Sequence, residues 1–325
     1  MKRVLLFCSI TLMCMSVSAQ KTFRQRVDST LTKLRRNTAD TNYVVRPQGD
    51  WTLRVLASNS GARTRTKGNG RKEFFTTDVE ADAKSTLSLS ANYRGLSASV
   101  ALNPAKMFGN YRDFELNLNA YGNRFGIDYI YQSASTFTGQ LEAPSGDITI
   151  ESGMVEQRSL TVNSYFVFNH RRFSFPAAFS QSYLQRRSAG SLFIGASYHG
   201  GSLLINNPEP TGEDISRIRT NHAGIGLGYA YNFVPGKRWL IHLSAQPSWV
   251  LWSRNTIEYM DGDSDRFRSG NELLFVVRSA VIHYFARRYF AGLTFVYNYS
   301  QIGEEENLRV TSSKWRARMI VGVRL

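Results

Sequence analysis

Residues 113–132 hold the pattern that most restricts how this chain can fold. Their sequence, DFELNLNAYGNRFGIDYIYQ, alternates apolar and polar residues on both sides of Gly122 and Asn123. A two-residue turn that begins with glycine fits a type II′ β-hairpin, which needs positive φ at that position. The predicted pairs on one face are Ala120 with Phe125, Leu118 with Ile127, Leu116 with Tyr129, and Phe114 with Tyr131. The other face is mostly polar, so the hairpin is typical of a barrel wall between lipid and water.

A second segment repeats this arrangement independently. Residues 85–93 and 96–102 alternate about a short turn at Arg94 and Gly95. The predicted outward pairs are Tyr93 with Leu96, Ala91 with Ala98, Leu89 with Val100, and Leu87 with Leu102. Two hairpins that each have one apolar face favour a real barrel pattern over chance periodicity.

Strand after strand follows this pattern through the rest of the chain. Further alternating segments lie at 51–58, 157–169, 183–201, 221–233, 238–252, 271–285, 288–301 and 309–325. The fold class is therefore all-β: a transmembrane antiparallel β-barrel of about twelve strands, with short turns at one end and long loops at the other. Residues 170–182, which contain Pro176, are too long for a tight turn. They are interpreted as an irregular segment on the short-turn side, folded into the barrel mouth.

The N-terminus predicts export to the cell outer membrane. In residues 1–19 a basic start at Lys2 and Arg3 precedes an apolar run and the small residues of a cleavage site, as in a secretory signal. A lipoprotein signal ending at Cys14 is the alternative, although Met13 stands where a small residue is expected. Both cysteines of the chain lie in this segment, so the mature chain is expected to use no disulfides.

Residues 20–50 are predicted to form a periplasmic segment with a short amphipathic helix ahead of the barrel at 51–325. The apolar residues of one helical face are Phe23, Val27, Leu31 and Leu34. The alternative is that this helix acts as a plug inside the lumen, since barrels can be closed by a helix.

The charge of the chain restricts its partners. Its net charge is +15, and removing the signal takes two of the 40 basic residues and none of the 25 acidic ones, which leaves +13. The basic residues are scattered and form no patch interleaved with aromatics, so nucleic-acid binding is not expected. We expect contacts with outer-membrane lipid and lipopolysaccharide and with the barrel-assembly machinery, and no cofactor.

Alternation assigns several charged side chains to the lumen. Those predicted to line it are Glu115, Asp128, Arg278, Arg316 and Arg318. A ring of arginines can select anionic solutes in a narrow pore. The alternative is that these charges pair across a filled lumen and hold the barrel shut, because a barrel of this size has a narrow interior.

One acidic segment has the ligand spacing of a calcium-binding loop. Asp261, Asp263, Asp265 and Glu272 stand at the first, third, fifth and twelfth positions of a calcium loop, but Arg266 replaces the glycine of its sharp turn. A solvated acidic loop is therefore the favoured interpretation, with no metal.

Ser197 and His199 lie on one strand face and are the candidates for a Ser–His hydrolase. Alternation points both into the lumen, and the chain has no G-x-S-x-G elbow. The glycines Gly224, Gly226 and Gly228 alternate within a strand and are expected to admit a close neighbour.

Five short segments resemble an uncharacterised family of Bacteroidota outer-membrane barrels, domain of unknown function 4421. They are DTNY at 40–43, NPAK at 103–106, YGNRFG at 121–126, PAAFSQ at 176–181 and SAGS at 188–191. The resemblance implies a barrel in a Gram-negative envelope and carries over no activity. The leading hypothesis is a narrow or plugged channel or a structural envelope barrel. The alternatives are a barrel-embedded lipid hydrolase or acyltransferase, and a surface-binding protein acting through its loops, chiefly residues 61–84.

Overall fold

The computed structural model describes a defined set of segments of the chain. The described residues are 39–47, 49–69, 74–93, 96–102, 114–135, 137–142, 148–151, 153–206, 214–267, 272–285, 288–303 and 308–325. The predicted signal at 1–19 lies outside them, as does the amphipathic part of the predicted segment 20–50.

The described residues form seventeen strands and one short helix. The elements are β1 (Val44–Val45), β2 (Trp51–Asn69), β3 (Phe74–Tyr93), β4 (Leu96–Leu102), β5 (Phe114–Tyr121), β6 (Phe125–Ala134), β7 (Phe137–Glu142), β8 (Ile148–Ile150), β9 (Val155–Val167), α1 (Phe175–Phe179), β10 (Leu184–Gln185), β11 (Ala189–Ile205), β12 (Ile215–Gly236), β13 (Trp239–Tyr259), β14 (Ser264–Phe267), β15 (Leu273–Tyr284), β16 (Tyr289–Ile302) and β17 (Leu308–Arg324).

Twelve of these strands close into one antiparallel barrel. The ring runs β2, β17, β16, β15, β13, β12, β11, β9, β6, β5, β4 and β3, and it closes because β2 also pairs with β3. The predicted barrel is therefore confirmed. We call the end where β2 begins and β17 ends the turn end, and the opposite end the loop end.

Side-chain exposure alternates along the barrel strands with the period of a pleated sheet. In β2, Trp51, Leu53 and Val55 are 40–47% exposed, whereas Thr52 and Arg54 are at most 7% exposed. Large apolar side chains continue the outward band, among them Leu89, Ile127, Leu192, Leu227, Leu243, Leu293, Met319 and Val321. An apolar exterior around a polar interior is the arrangement of a transmembrane barrel. Among the described residues, no helix is long and apolar enough to cross a membrane.

The structure confirms one predicted hairpin register and corrects the other. Tyr93 pairs with Leu96, and the rest of the β3–β4 ladder follows as predicted. In β5–β6, however, Tyr121 pairs with Gly126, so the turn takes four residues in place of two. Each partner is therefore displaced by two positions. Because side chains alternate with period two, the displacement changes the pairs and keeps the faces.

The strands at the loop end are longer than predicted. Residues 61–84, interpreted from sequence as a long loop, belong mostly to β2 and β3, which pair as far as Asn69 and Phe74. In the same region β7 takes over the edge of β3 beyond the short β4 and pairs with β8. The predicted long loops therefore contain sheet that extends the wall beyond the apolar band.

Residues 170–187 fold into the turn end of the barrel, and we call them the plug. Local contacts fix where its helix α1 begins: Ser174 accepts a hydrogen bond from the Ala177 amide (3.3 Å), and Pro176 occupies the first turn. After the helix the chain returns through β10, which pairs with β1 to form a separate two-stranded sheet. The irregular segment predicted at 170–182 therefore has a defined fold.

Candidate functional site: the plugged lumen

Two apolar clusters fix the plug against opposite parts of the barrel wall. In one, Ala177 and Ala178 pack with wall residues of β2, β13, β15, β16 and β17. In the other, Phe173 and Phe175 pack with residues of β9, β11 and β12, including Phe193. Rings of Phe175 and Phe193 meet edge to face at 5.1 Å. The two clusters involve eight of the twelve ring strands, which are β2, β17, β16, β15, β13, β12, β11 and β9, and the plug lies across the lumen between them.

A buried polar network on β12 and β13 also holds the plug. Asn232 donates from Nδ2 to the Ser174 carbonyl (2.9 Å) and to Gln185 Oε1 (3.0 Å). His242 joins the network, with Nδ1 2.7 Å from Asn232 Oδ1 and Nε2 3.1 Å from Ser244 Oγ. Burying a polar group without a hydrogen-bond partner costs free energy, so this chain of hydrogen bonds favours one position of the plug in the barrel.

Arginines from the two strands that close the barrel complete the attachment. Arg54 of β2 donates from Nη1 to the Phe179 carbonyl (2.6 Å) and from Nη2 to Ser90 Oγ (2.8 Å). Arg324 of β17 donates from Nε to the Gln181 carbonyl (3.0 Å). Gln181 itself has a φ of 53°, and its side chain donates to the Ala178 carbonyl (2.8 Å), which holds the turn after α1.

Beyond the plug, towards the loop end, the lumen contains a cavity of about 350 Å³. Phe175, Phe179 and Phe193 border it on the plug side. Its charged lining residues are Arg54, Asp128, Arg278, Lys314, Arg316 and Arg318. Five cationic side chains against one carboxylate make the described wall of this cavity strongly basic.

The one carboxylate of this lining is held by polar neighbours. The Tyr121 hydroxyl donates to Asp128 Oδ1, and the Asn119 amide donates to the same oxygen at 3.0 Å. Tyr165 stacks on Tyr121 at 6.4 Å between ring centroids. Glu115, also predicted to line the lumen, pairs through its backbone with Gln132, and its side chain lies outside what the structure describes.

A pair of histidines lies in the cavity wall, in the halves of β11 and β12 that are nearer the loop end. His199 of β11 and His222 of β12 are direct cross-strand partners, and their rings stack at 5.2 Å with an interplanar angle of 17°. His199 Nδ1 lies 3.1 Å from Thr161 Oγ1. Among the described residues, neither ring nitrogen of His222 has a hydrogen-bond partner, although the residue is only 5% exposed.

The predicted hydrolase pair is present on one face but is not assembled. Ser197 is 8% exposed and lies two residues from His199 on the inward side of β11. The hydrogen bond of His199 runs to Thr161, and within the described chain none joins it to Ser197. A nucleophile and base need to lie within hydrogen-bonding reach of each other.

The acidic residues at the loop end form a tight hairpin. Gly262, with φ of 92°, makes the turn between β13 and β14, and Asp261 Oδ1 accepts from the Asp263 amide (3.0 Å). Asp265 Oδ2 accepts from the Tyr259 hydroxyl (3.0 Å), whereas Glu272 is buried just before β15. The described residues contain no group of three or more His, Cys, Asp or Glu placed to hold a metal ion.

Sequence reasoning missed three side chains that line the cavity. Arg54 lies on the inward face of β2, and the same alternation that oriented the other strands would have found it. Lys314 precedes Arg316 by two residues in β17 and shares its inward face. His222 gave no local signal, because its importance comes from the neighbour that barrel pairing sets beside it.

The closed ring of twelve strands, the apolar exterior and the polar lumen define a transmembrane β-barrel of the outer-membrane class. Within that class, the chain belongs to the family described as Domain of unknown function (DUF4421), whose model matches residues 38–325. The match includes every described segment of the barrel and the plug.

Several solved outer-membrane proteins are similar to this chain in fold. The outer membrane protease OmpT from Escherichia coli is 8% identical, with a TM-score of 0.47 over 86% of this chain and 99% of that one. OprG from Pseudomonas aeruginosa is 7% identical, with a TM-score of 0.31 over 87% and 98%. The toluene transporter TodX from P. putida is 9% identical, with a TM-score of 0.31 over 86% and 91%. A search of curated proteins found no significant match.

Proposed function

We propose that this protein is a gated channel of the outer membrane, closed at its periplasmic end by the plug at 170–187. The observation that carries the proposal is that the plug spans the lumen at the turn end, while a cavity of about 350 Å³ continues beyond it. A filled barrel with only a structural role would have no need of a basic cavity of this size.

The orientation of the barrel in the membrane follows from the lengths of the connections between its strands. Barrels of this class have short turns on the periplasmic side and longer loops outside. The turn end has compact connections at Gly122–Arg124 and between β12 and β13, whereas the long hairpins rise from the loop end. We therefore assign the plug and the N-terminus to the periplasm, and the extended β2–β3 hairpin to the cell exterior.

The exterior part of β2 provides a surface for lipopolysaccharide. Arg63 and Arg65 are exposed and Lys67 is half-buried at alternate positions along this strand. Cationic side chains just beyond the apolar band lie at the height of the anionic sugar and phosphate groups of that lipid. We assign this contact to the lipid and the folding of the barrel to the usual assembly machinery.

Conductance in a planar lipid bilayer tests the channel. The wild-type barrel is expected to pass small or infrequent currents, because the plug is seated. The double variant Arg54→Met/Arg324→Met loses two donors to the plug and is expected to pass larger or more frequent currents. Arg288→Met removes an exposed charge at the same end and should behave as wild type. Silence of both the wild type and the plug variant at all voltages would refute the channel.

The basic wall predicts the sign of selectivity. If ions pass beside Arg316 and Arg318, chloride is favoured over potassium, since fixed cations concentrate anions in a narrow pore. Changing both to Ala should shift the reversal potential in a salt gradient towards the unselective value. An unchanged reversal potential would place the conduction path elsewhere.

A further inference from the structure

We infer that the lumen contains a binding site for a small carboxylate or phosphate anion, formed by His222, His199 and Lys314. The inference deepens the proposed function, on which it rests for access from the cell exterior, by naming the chemical class of the solute. It starts from the one buried side chain of the described wall whose ring nitrogens both lack partners.

The state of the His222 ring is the observation that points to a ligand. Both of its ring nitrogens are without a hydrogen-bond partner in the described part of the chain, and the residue lines the cavity at 5% exposure. Buried polar groups are rarely left unpaired in folded proteins, and each such group calls for an explanation. A neutral imidazole presents one N–H donor, which the oxygen of a carboxylate or phosphate can accept.

His199 and Lys314 define the rest of the site. Stacking on His199 holds the His222 ring in place, and the bond from His199 to Thr161 fixes the orientation of that second ring. Lys314 lines the same cavity as both histidines. An anion that lies between Lys314 and His222 would receive one charged and one neutral hydrogen bond.

The charge of the surrounding wall decides between an anion and a cation. Arg316 and Arg318 follow Lys314 at alternate positions of β17, and Arg278 lies on β15, all in the lining of the cavity. The only carboxylate in this described lining is Asp128, which is already bonded by Tyr121 and Asn119. Two stacked imidazoles could attract a transition metal, but this field opposes a cation, and the described residues supply no third ligand of the usual kind.

One glycine beside the pair leaves room for the solute. Gly201 follows His199 on the inward face of β11, where an added Cβ would meet nothing closer than 3.5 Å. The cavity of about 350 Å³ suits a molecule of a few to about twenty non-hydrogen atoms. On the plug side, Phe175 and Phe179 would stop the solute from leaving towards the periplasm while the plug is seated.

Phosphate binding to the full mature chain in detergent tests the site without a membrane or a voltage. Isothermal titration with inorganic phosphate should give saturable binding, which His222→Leu and Lys314→Met each weaken by about tenfold or more. Lys237→Met is the matched control, because it removes the same charge from an exposed turn at the other end. It should change the affinity by less than about twofold.

Several outcomes would overturn the site. They are an absence of saturable phosphate binding to the wild type, an equal loss in Lys314→Met and Lys237→Met, and tighter binding of Zn²⁺ than of phosphate through the two histidines. Lys314→Arg keeps the charge and should restore binding, which separates a binding role from a folding defect. Acetate in place of phosphate distinguishes a carboxylate site from a phosphate site. A barrel that is silent in bilayers yet binds phosphate would refute the channel and leave the site standing.

Discussion

Arg54 and Arg324 lie on the two strands that close the barrel and donate to carbonyls of the same plug turn, Phe179 and Gln181. Strands β2 and β17 are adjacent in the ring and far apart in the chain, so their pairing joins the two ends of the barrel sequence. The plug can receive both donors only when this seam is formed. Barrel closure and plug seating are therefore coupled through these two arginines.

Replacing either arginine by Met should destabilise the barrel by about 1–3 kcal/mol, because a buried carbonyl loses a charged donor while the apolar stem remains. The double variant should lose less than the sum, since both residues bind one segment. Urea unfolding in lipid vesicles, followed by tryptophan fluorescence, measures these free energies. Arg288→Met, exposed at the same end, should change the free energy by less than about 0.5 kcal/mol. Strict additivity would contradict the coupling.

Removing the cap of the plug helix should loosen the plug without opening the barrel. Ser174 accepts from the Ala177 amide and donates from Oγ to Asn123 Oδ1 (2.7 Å), so Ser174→Ala breaks two bonds at a cost of about 1 kcal/mol. The rate of trypsin cleavage measures this loosening, because the exposed Arg171 and Arg172 lie just before the helix.

Cleavage there should become several-fold faster in Ser174→Ala and stay unchanged in Ser85→Ala, whose side chain is exposed on β3. If the two variants are cut at the same rate, the cap contributes nothing to the seating of the plug.

Local alternation in the sequence predicted most of the barrel. Period-two patterns predicted which face of each strand is apolar. These assignments are correct even in β5–β6, where the predicted register was wrong by two residues. The error arose because a four-residue turn replaced the two-residue turn at Gly122. A turn of either length keeps the same alternation, so the faces alone could not distinguish the two registers.

The plug and the histidine pair could not be predicted in the same way. Helix α1 is only five residues long, and its burial depends on contacts with strands far away in the sequence. His222 and Lys314 share a cavity only because the barrel closes, since they lie on strands separated by three others in the ring. No periodicity within one strand carries information of that kind.

The salt bridge on the β2–β3 hairpin at the loop end predicts a local response to acid. Arg63 donates to both carboxylate oxygens of Asp78 (2.9 and 2.7 Å), and this hydrogen bonding holds the pKa of Asp78 below its ordinary value. A carboxylate with a lowered pKa contributes stability that is full above its unfolded pKa and is lost as the pH falls through the folded value. The pairing of β2 and β3 beyond the apolar band should therefore weaken only below about pH 4.

Nuclear magnetic resonance titration of the Asp78 carboxyl checks this directly. The pKa of Asp78 in the wild type should lie below the ordinary value of 3.8, and Arg63→Met should raise it towards that value. Arg65→Met, on the same strand, provides a comparison, because Arg65 is a lesser contributor to the lowered pKa. A wild-type value at or above the ordinary one would show that the pair does not persist in solution.

The last prediction concerns the alternating glycines of β12 and how closely strand β13 packs against them. At Gly226 an added Cβ would lie 2.0 Å from Ser248 Oγ and 2.4 Å from the Pro247 carbonyl oxygen, and the second of these is backbone that cannot move aside. Gly226→Ala should therefore destabilise the barrel by about 1–3 kcal/mol, the usual cost of overpacking. Gly201→Ala is the matched control on the neighbouring strand, where the closest atom is 3.5 Å away, in ordinary contact. Urea unfolding should show a loss for the first variant and little change for the second. Equal stability of the two would mean that β13 can withdraw from β12, and that these glycines are not there to admit a neighbouring strand.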